Sequence, residues 1–436
     1  MRARGRLSPS ALAALAAAFV LAAIPAGAEA SAGTVAITGG KVVTLGAAGT
    51  IENGTVLIVD GRIRAVGKDV AIPAGARRVD AAGKVVTPGL IDSLSHLGLV
   101  EVNAVEGTRD EAVKGRDLTV AFDVADGLNP RSQLLPVTRV EGVTGAVVAP
   151  DPGEGVFSGR GAVIRLTGGS DLVVKNPVAV FASIGETGAQ IAGGSRAADL
   201  ERLREALADA RDYAQHRADF ERNGRRRYAL SRLDLEALQP VLHGELPLVL
   251  AAERASDLEA ALALARDFHL RLILAGAAEG WMVAGEIAAA RVPVLLDPMA
   301  NLPASFERLG ATLENAARMS KAGVTLAFMS GEAHNSRNLR QGAGNAVAYG
   351  LPWEEALKAM TVNPARIWGL TATLGTLAPG READLVVWDG DPLELQTAAL
   401  HVFLRGREVP PTTRQTELRD RYKSLQGELP PAYRKP

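Results

Sequence analysis

The chain of 436 residues contains no cysteine, which excludes disulfide bridges and a lipid-modified cysteine at a processed N-terminus. Aromatic residues make up only 4%, so a core must be built from Ala, Val, Leu and Ile, and a hydrophobic content of 47% is ample for one. The formal charge of -1 gives no reason to expect a nucleic-acid partner. The apolar segment from Ala11 to Ile24 is too short and too Ala-rich for a stable spanning helix. It follows Arg2, Arg4 and Arg6 and precedes the small-x-small sequence Ala26-Gly27-Ala28. That order predicts a signal peptide over residues 1–28, export to the periplasm or medium, and no stable membrane span after cleavage.

Residues 34–86 alternate β-rich runs with turn residues. Thr55 to Val59 and Arg62 to Val66 flank Asp60-Gly61, a strong hairpin signal. Comparable runs return at Ala383–Trp388 and His401–Glu408. Residues 34–86 and 376–409 therefore read as one small composite β domain of sandwich type, interrupted by residues 87–375. The interruption alternates apolar runs with helical patterns. Candidate strands begin at Gly145, Ala162, Val178, Leu246, Leu270, Val292 and Val324, and the run ending at Asp92 makes eight. Eight strands with interleaved helices predict an α/β fold of the (β/α)8, TIM-like kind, with reactive groups beyond the carboxyl ends of the strands. In the charged segment 196–242, Leu200, Leu203, Leu207 and Ala210 share a helical face, and the segment is read as an insertion overhanging the barrel mouth. Residues 410–436 read as a polar helix and a Pro-Pro tail.

Three motifs carry a resemblance. They are Pro88-Gly89-Leu90-Ile91-Asp92 leading to His96; Asn363-Pro364-Ala365-Arg366 after Glu354-Glu355-Ala356-Leu357; and Gly375-x-Leu377 through Gly380 to Ala383-Asp384-Leu385-Val386. Together, over about residues 35 to 410, the chain resembles exported amidohydrolases of the imidazolonepropionase-like or prolidase-like kind. The resemblance implies a barrel-mouth centre of one or two divalent cations, zinc first among them, that turns bound water into hydroxide. It also implies ligands from His-x-His on the first strand, a bridging Lys or carboxylate on a middle strand, a His each on strands five and six, and an Asp after strand eight.

Against that pattern, Leu94 stands at the first His position and His96 at the second. Strand five offers Ala251 or Glu253, strand six Ala277 or Glu279, and the Asp position after strand eight falls on Gly331 or Glu332. Lys175 precedes a strand and is not assigned the bridging role. A catalytic zinc normally needs three protein ligands and one open position, so the inherited binuclear set is incomplete. A rebuilt centre would draw on His96, Glu253, Glu279, Glu332 and His334, all near predicted strand ends. The bland reading makes the glutamates loop charges paired with Arg254, Arg337 or Arg340, and the histidines buried or loop residues. The candidate assignments are His96 as metal ligand, Glu332 and His334 as catalytic groups, and Arg337 and Arg340 as substrate contacts. Ser158 and Arg160, in the Gly-rich run from Asp151, are further substrate contacts.

Two functions follow. One is hydrolysis of carbon–nitrogen bonds other than peptide bonds through an eroded or rearranged metal site. The other is non-catalytic binding of a small molecule or a partner protein in the periplasm, with no cofactor. The oligomeric state, homo-oligomer included, is left open by the sequence.

Overall fold

The computed structural model describes residues 33–169 and 171–423. The expected signal peptide and the Pro-Pro tail lie outside the described residues. The first strands, β1 (Val35–Val43), β2 (Thr50–Val59), β3 (Arg62–Gly67), β4 (Arg77–Asp80) and β5 (Val85–Pro88), enter a sheet that the chain leaves and later completes. Asp60 and Gly61 both adopt positive φ, 49° and 78°, as the two-residue turn between β2 and β3 requires. β1 runs unbroken through Gly39 and Gly40, and its pairing with β2 slips around Gly40.

The barrel strands are β6 (Leu90–Ser95), β7 (Val143–Val148), β8 (Phe157–Arg165), β9 (Val173–Ser183), β10 (Leu248–Ala252), β11 (Leu272–Gly276), β12 (Val294–Leu296) and β13 (Leu326–Phe328), and they are hydrogen-bonded in that order. Helices follow β9 through β13, so this half is ordinary βα architecture. The other half departs from expectation. β8 runs antiparallel to both β7 and β9, and no helix separates these three strands. The fold is a TIM-like barrel with its third strand reversed.

The chain then returns to the first sheet as β14 (Leu385–Trp388), β15 (Ala399–Leu404) and β16 (Arg407–Glu408). β14 pairs antiparallel with β5, setting Leu385 opposite Pro88. Both ends of the chain thus build one β-rich domain. Its core holds Ile37, Ile58, Ile63 and Phe403, each at most 1% exposed. Burial of each such side chain contributes about 1.5–3 kcal/mol. A separate apolar cluster fills the barrel interior, with Val249, Ile273, Leu295 and Ala327 from four strands and Trp368 among them.

The three motifs earn their residues structurally. A Cβ on Gly89 would lie 2.2 Å from the Thr144 hydroxyl, so only glycine lets β6 start here. Asn363 Nδ2 donates to the Leu326 carbonyl at 2.8 Å, holding the first residue of β13. Asp384, 6% exposed, accepts from Arg165 Nε at 2.8 Å and from the Arg405 amide at 2.7 Å. Arg165 also pairs with Glu382, so a buried ionic knot joins barrel strand β8 to the β domain.

Candidate ligand pocket at the barrel mouth

The carboxyl ends of the strands surround a cavity of about 230 Å³. Its floor is apolar: Leu94 at the end of β6, Phe181 from β9, Val249 and Ala251 from β10, Ala275 from β11, and Met329 just after β13. Ser158, Ser183 and Thr187 bring hydroxyls, and Asp151, Glu253, Glu307 and Arg308 bring charge. A larger cleft, about 850 Å³, lies at the other end of the barrel, beside Thr325 and Leu326 at the start of β13. It is remote from the strand ends where barrel chemistry is built.

A strap after β12 closes over the mouth. Arg308 Nη2 donates to Glu253 Oε1 at 2.5 Å. Glu307 Oε2 accepts from the Glu186 amide at 2.6 Å and from Arg196 Nη2 at 3.3 Å. The Gly310 amide donates to Glu279 Oε1 at 3.0 Å. The partners of the strap lie after β9 (Glu186, Arg196), β10 (Glu253) and β11 (Glu279), so it is pinned on three sides. Burial is the largest influence on Glu253, and Arg308 and the Ala278 amide only partly offset it, so its pKa sits above the ordinary value.

His96 is 7% exposed, with Nε2 3.2 Å from Asp151 Oδ1. Burial disfavours the imidazolium, yet Asp151, with Glu111 and Asp92 behind it, outweighs burial and lifts the His96 pKa. Burial would likewise raise Asp151, but His96 and Arg109 hold its carboxyl below the ordinary range.

The sequence-derived centre does not assemble. Glu253 is committed to Arg308 and the Ala278 amide, and Glu279 to the Ala255 and Gly310 amides. Glu332 is exposed and accepts from Asn335 at 2.8 Å. His334 Nε2 faces the Glu101 carbonyl at 3.2 Å. Neither Glu332 nor His334 lines the mouth cavity, because the chain turns away after Ser330, where the Gly331 amide bonds the Leu94 carbonyl. Met329, not Gly331 or Glu332, reaches the cavity from β13.

Arg340 is a structural residue rather than a substrate contact. It is 5% exposed and donates to the carbonyls of Glu394 and Thr397 at 2.8 and 2.7 Å, holding that loop. Arg337 reaches Gln415 on the C-terminal helix. Ser158 does line the cavity, whereas Arg160 is turned to the Ala121 carbonyl and Asp123. Lys175 donates to the Trp368 carbonyl. Sequence reasoning missed Glu307 and Arg308, which lie in an irregular loop with no motif to mark them.

Among the described residues, no three His, Asp or Glu side chains are grouped to hold a metal ion. His96 is in contact with Asp151, and the floor positions at the ends of β6, β10 and β11 are hydrocarbon. The donor set does not fit the divalent centre that the fold implies. No helix among the described residues is long and apolar enough to cross a membrane.

A TIM-like barrel of this order, joined to a β-rich domain from residues on both sides of it, defines the scaffold. Comparison with known proteins agrees. Residues 252–415 match the amidohydrolase family. The imidazolonepropionase of Cereibacter sphaeroides is 29% identical over 401 residues, covering 83% of this chain and 95% of that protein. Amidohydrolase tasK of Hapsidospora irregularis is 25% identical, covering 82% of this chain but only 39% of its own length. The crystal structure of an amidohydrolase from Thermotoga maritima superposes with a TM-score of 0.78 at 26% identity, covering 86% of this chain and 99% of that one. These matches support membership of the amidohydrolase superfamily.

Proposed function

We propose that this protein binds a small organic molecule at the barrel mouth and does not run the divalent-metal hydrolysis of its superfamily. The observation that carries the reading is the apolar floor: Leu94, Ala251, Ala275 and Met329 occupy the strand ends where a metal centre needs nitrogen or oxygen donors. Fold alone does not carry chemistry. The cavity is lined by hydrocarbon with a few polar groups at its edge, the composition of small-molecule sites. Export to the periplasm, argued from the N-terminal segment, is part of the proposal.

The test is metal stoichiometry joined to activity. Purified protein incubated with zinc or manganese and then dialysed should retain well under one equivalent, and should leave N-acyl amino acids and cyclic amides intact. Retention of a full equivalent that is lost in His96→Ala, with hydrolysis, would overturn the reading.

One observation favours a second reading, hydrolysis of a carbon–nitrogen bond without metal. Asp151 lines the cavity with His96 3.2 Å behind it, an arrangement suited to general acid–base work. Activity with a pH profile that moves in His96→Gln, in metal-free protein, would favour it.

A further inference from the structure

The charged groups of the mouth cavity are mostly carboxylates. Asp151, Glu253 and Glu307 present carboxylates, and the hydroxyls of Ser158, Ser183 and Thr187 accept as readily as they donate. Arg308 is the one cationic side chain in the lining, and it is already bonded to Glu253. The cations that balance the other two acids, His96 and Arg196, are absent from the lining. A ligand entering the cavity therefore meets carboxylates and hydroxyls but no cationic side chain that is free.

The three carboxylates differ in availability. Glu253 and Glu307 have side chains 14% and 10% exposed, and each already holds an arginine and a backbone amide. The Asp151 side chain is 42% exposed and its ionic partner is the buried imidazole of His96. An anionic ligand would have to draw Arg308 away from Glu253, leaving a mostly buried carboxylate unpaired, which is costly. A cation at Asp151 leaves the arginine pairs of Glu253 and Glu307 intact.

We propose that the mouth takes a small organic cation, an ammonium or amidinium carried on an apolar body, with its charged nitrogen at Asp151 and its body on the floor of Leu94, Phe181, Val249 and Met329. The inference rests on the reading of the mouth as a ligand pocket and adds the chemical class of the ligand. A cavity of about 230 Å³ suits a molecule smaller than those filling pockets of ~300–1,000 Å³.

Three probes sharing one body separate the cases: phenethylamine, 2-phenylethanol and phenylacetate, each titrated by calorimetry into the full chain. Phenethylamine should bind, and the neutral and anionic analogues should bind at least ten-fold more weakly. Asp151→Asn should weaken the amine by about ten-fold or more, as expected for loss of a hydrogen bond to a charged group, while Glu332→Gln leaves it unchanged. The probe series on the unaltered protein stands even where a variant fails to fold. Equal or tighter binding of phenylacetate sinks the cation while sparing the pocket, and so does undiminished amine binding by folded Asp151→Asn. Failure of all three probes to bind also overturns it. Failure of the metal-free reading shows separately, as retained zinc or manganese.

Discussion

The Ser330 hydroxyl donates to Asp92 Oδ2 at 2.5 Å, and this bond ties the end of the last barrel strand to the first. Asp92 is fully buried and also accepts from the Ser330 amide and the Ser336 hydroxyl. Burial, opposed by these donors, pushes its pKa to about 6. The fold thus favours the protonated acid, so the stability Asp92 contributes is fully present below its ordinary pKa of 3.8 and is lost as pH rises through about 6. Ser330→Ala removes a donor needed most by the carboxylate. It should cost roughly 1–3 kcal/mol, more at pH 8 than at pH 5, by urea unfolding. An equal cost at both pH values would count against this account of the seam.

Asp199 offers a second pH prediction. It is fully buried in the first turn of the helix Arg196–Glu221, and neither carboxylate oxygen has a hydrogen-bond partner. Burial, with the Asp257 charge added, pushes its pKa to about 7. Stability should therefore fall as pH climbs from about 4 to above 7, by up to roughly 4 kcal/mol at 1.36 kcal/mol per pH unit. Asp199→Asn cannot ionise, so its unfolding free energy should be flatter over that window and exceed that of the natural protein at pH 8. Parallel pH profiles for the two proteins would refute this.

The buried knot of Arg165 with Asp384 and Glu382 sets a third expectation. Arg165→Met leaves buried Asp384 without its cation and Glu382 with only Arg62 and Arg405, and should cost about 3–5 kcal/mol, measured by denaturant unfolding. Arg165→Met combined with Asp384→Leu and Glu382→Gln should recover part of the loss, because unpaired buried charge is the larger penalty. No recovery in the triple variant would point to lost packing instead.

The strap can be tested through the absence of cysteine. Ala251→Cys would place a lone thiol on the cavity floor. Its labelling by a small disulfide reagent should accelerate several-fold when Arg308→Ala removes the bond to Glu253, which spans strap and floor rim. A cysteine at exposed Glu332 serves as the control. Labelling rates indifferent to Arg308 would mean that this contact does not gate the mouth.

Much of the architecture was legible in the sequence because it is written in local chemistry. Asp60-Gly61 demanded a tight turn, and the apolar runs demanded buried strands. The reversal of β8 was hidden, since Ala162 to Leu166 is equally apolar in either direction. For the site, Leu94 and Ala251 were legible as apolar residues at strand ends, and both line the mouth cavity. His334 and Glu332 misled, because closeness in sequence to a strand end does not fix direction, and Gly331 turns the chain away at a φ of 67°. Arg340 looked like a ligand grip for the same reason, although its real partners, the Glu394 and Thr397 carbonyls, are more than fifty residues distant. Glu307 and Arg308 acquire meaning only from Glu186, Arg196 and Glu253, which no local pattern connects to them.

The inverted orientation of β8 makes one segment answer to two masters. Its leading end delivers Ser158 to the pocket and its trailing end delivers Arg165 to the other domain. Deleting a single residue between them would slide the strand by about 3.3 Å and swap its faces. Ligand recognition and interdomain cohesion would then fail together, so indels should be far less tolerated there than substitutions.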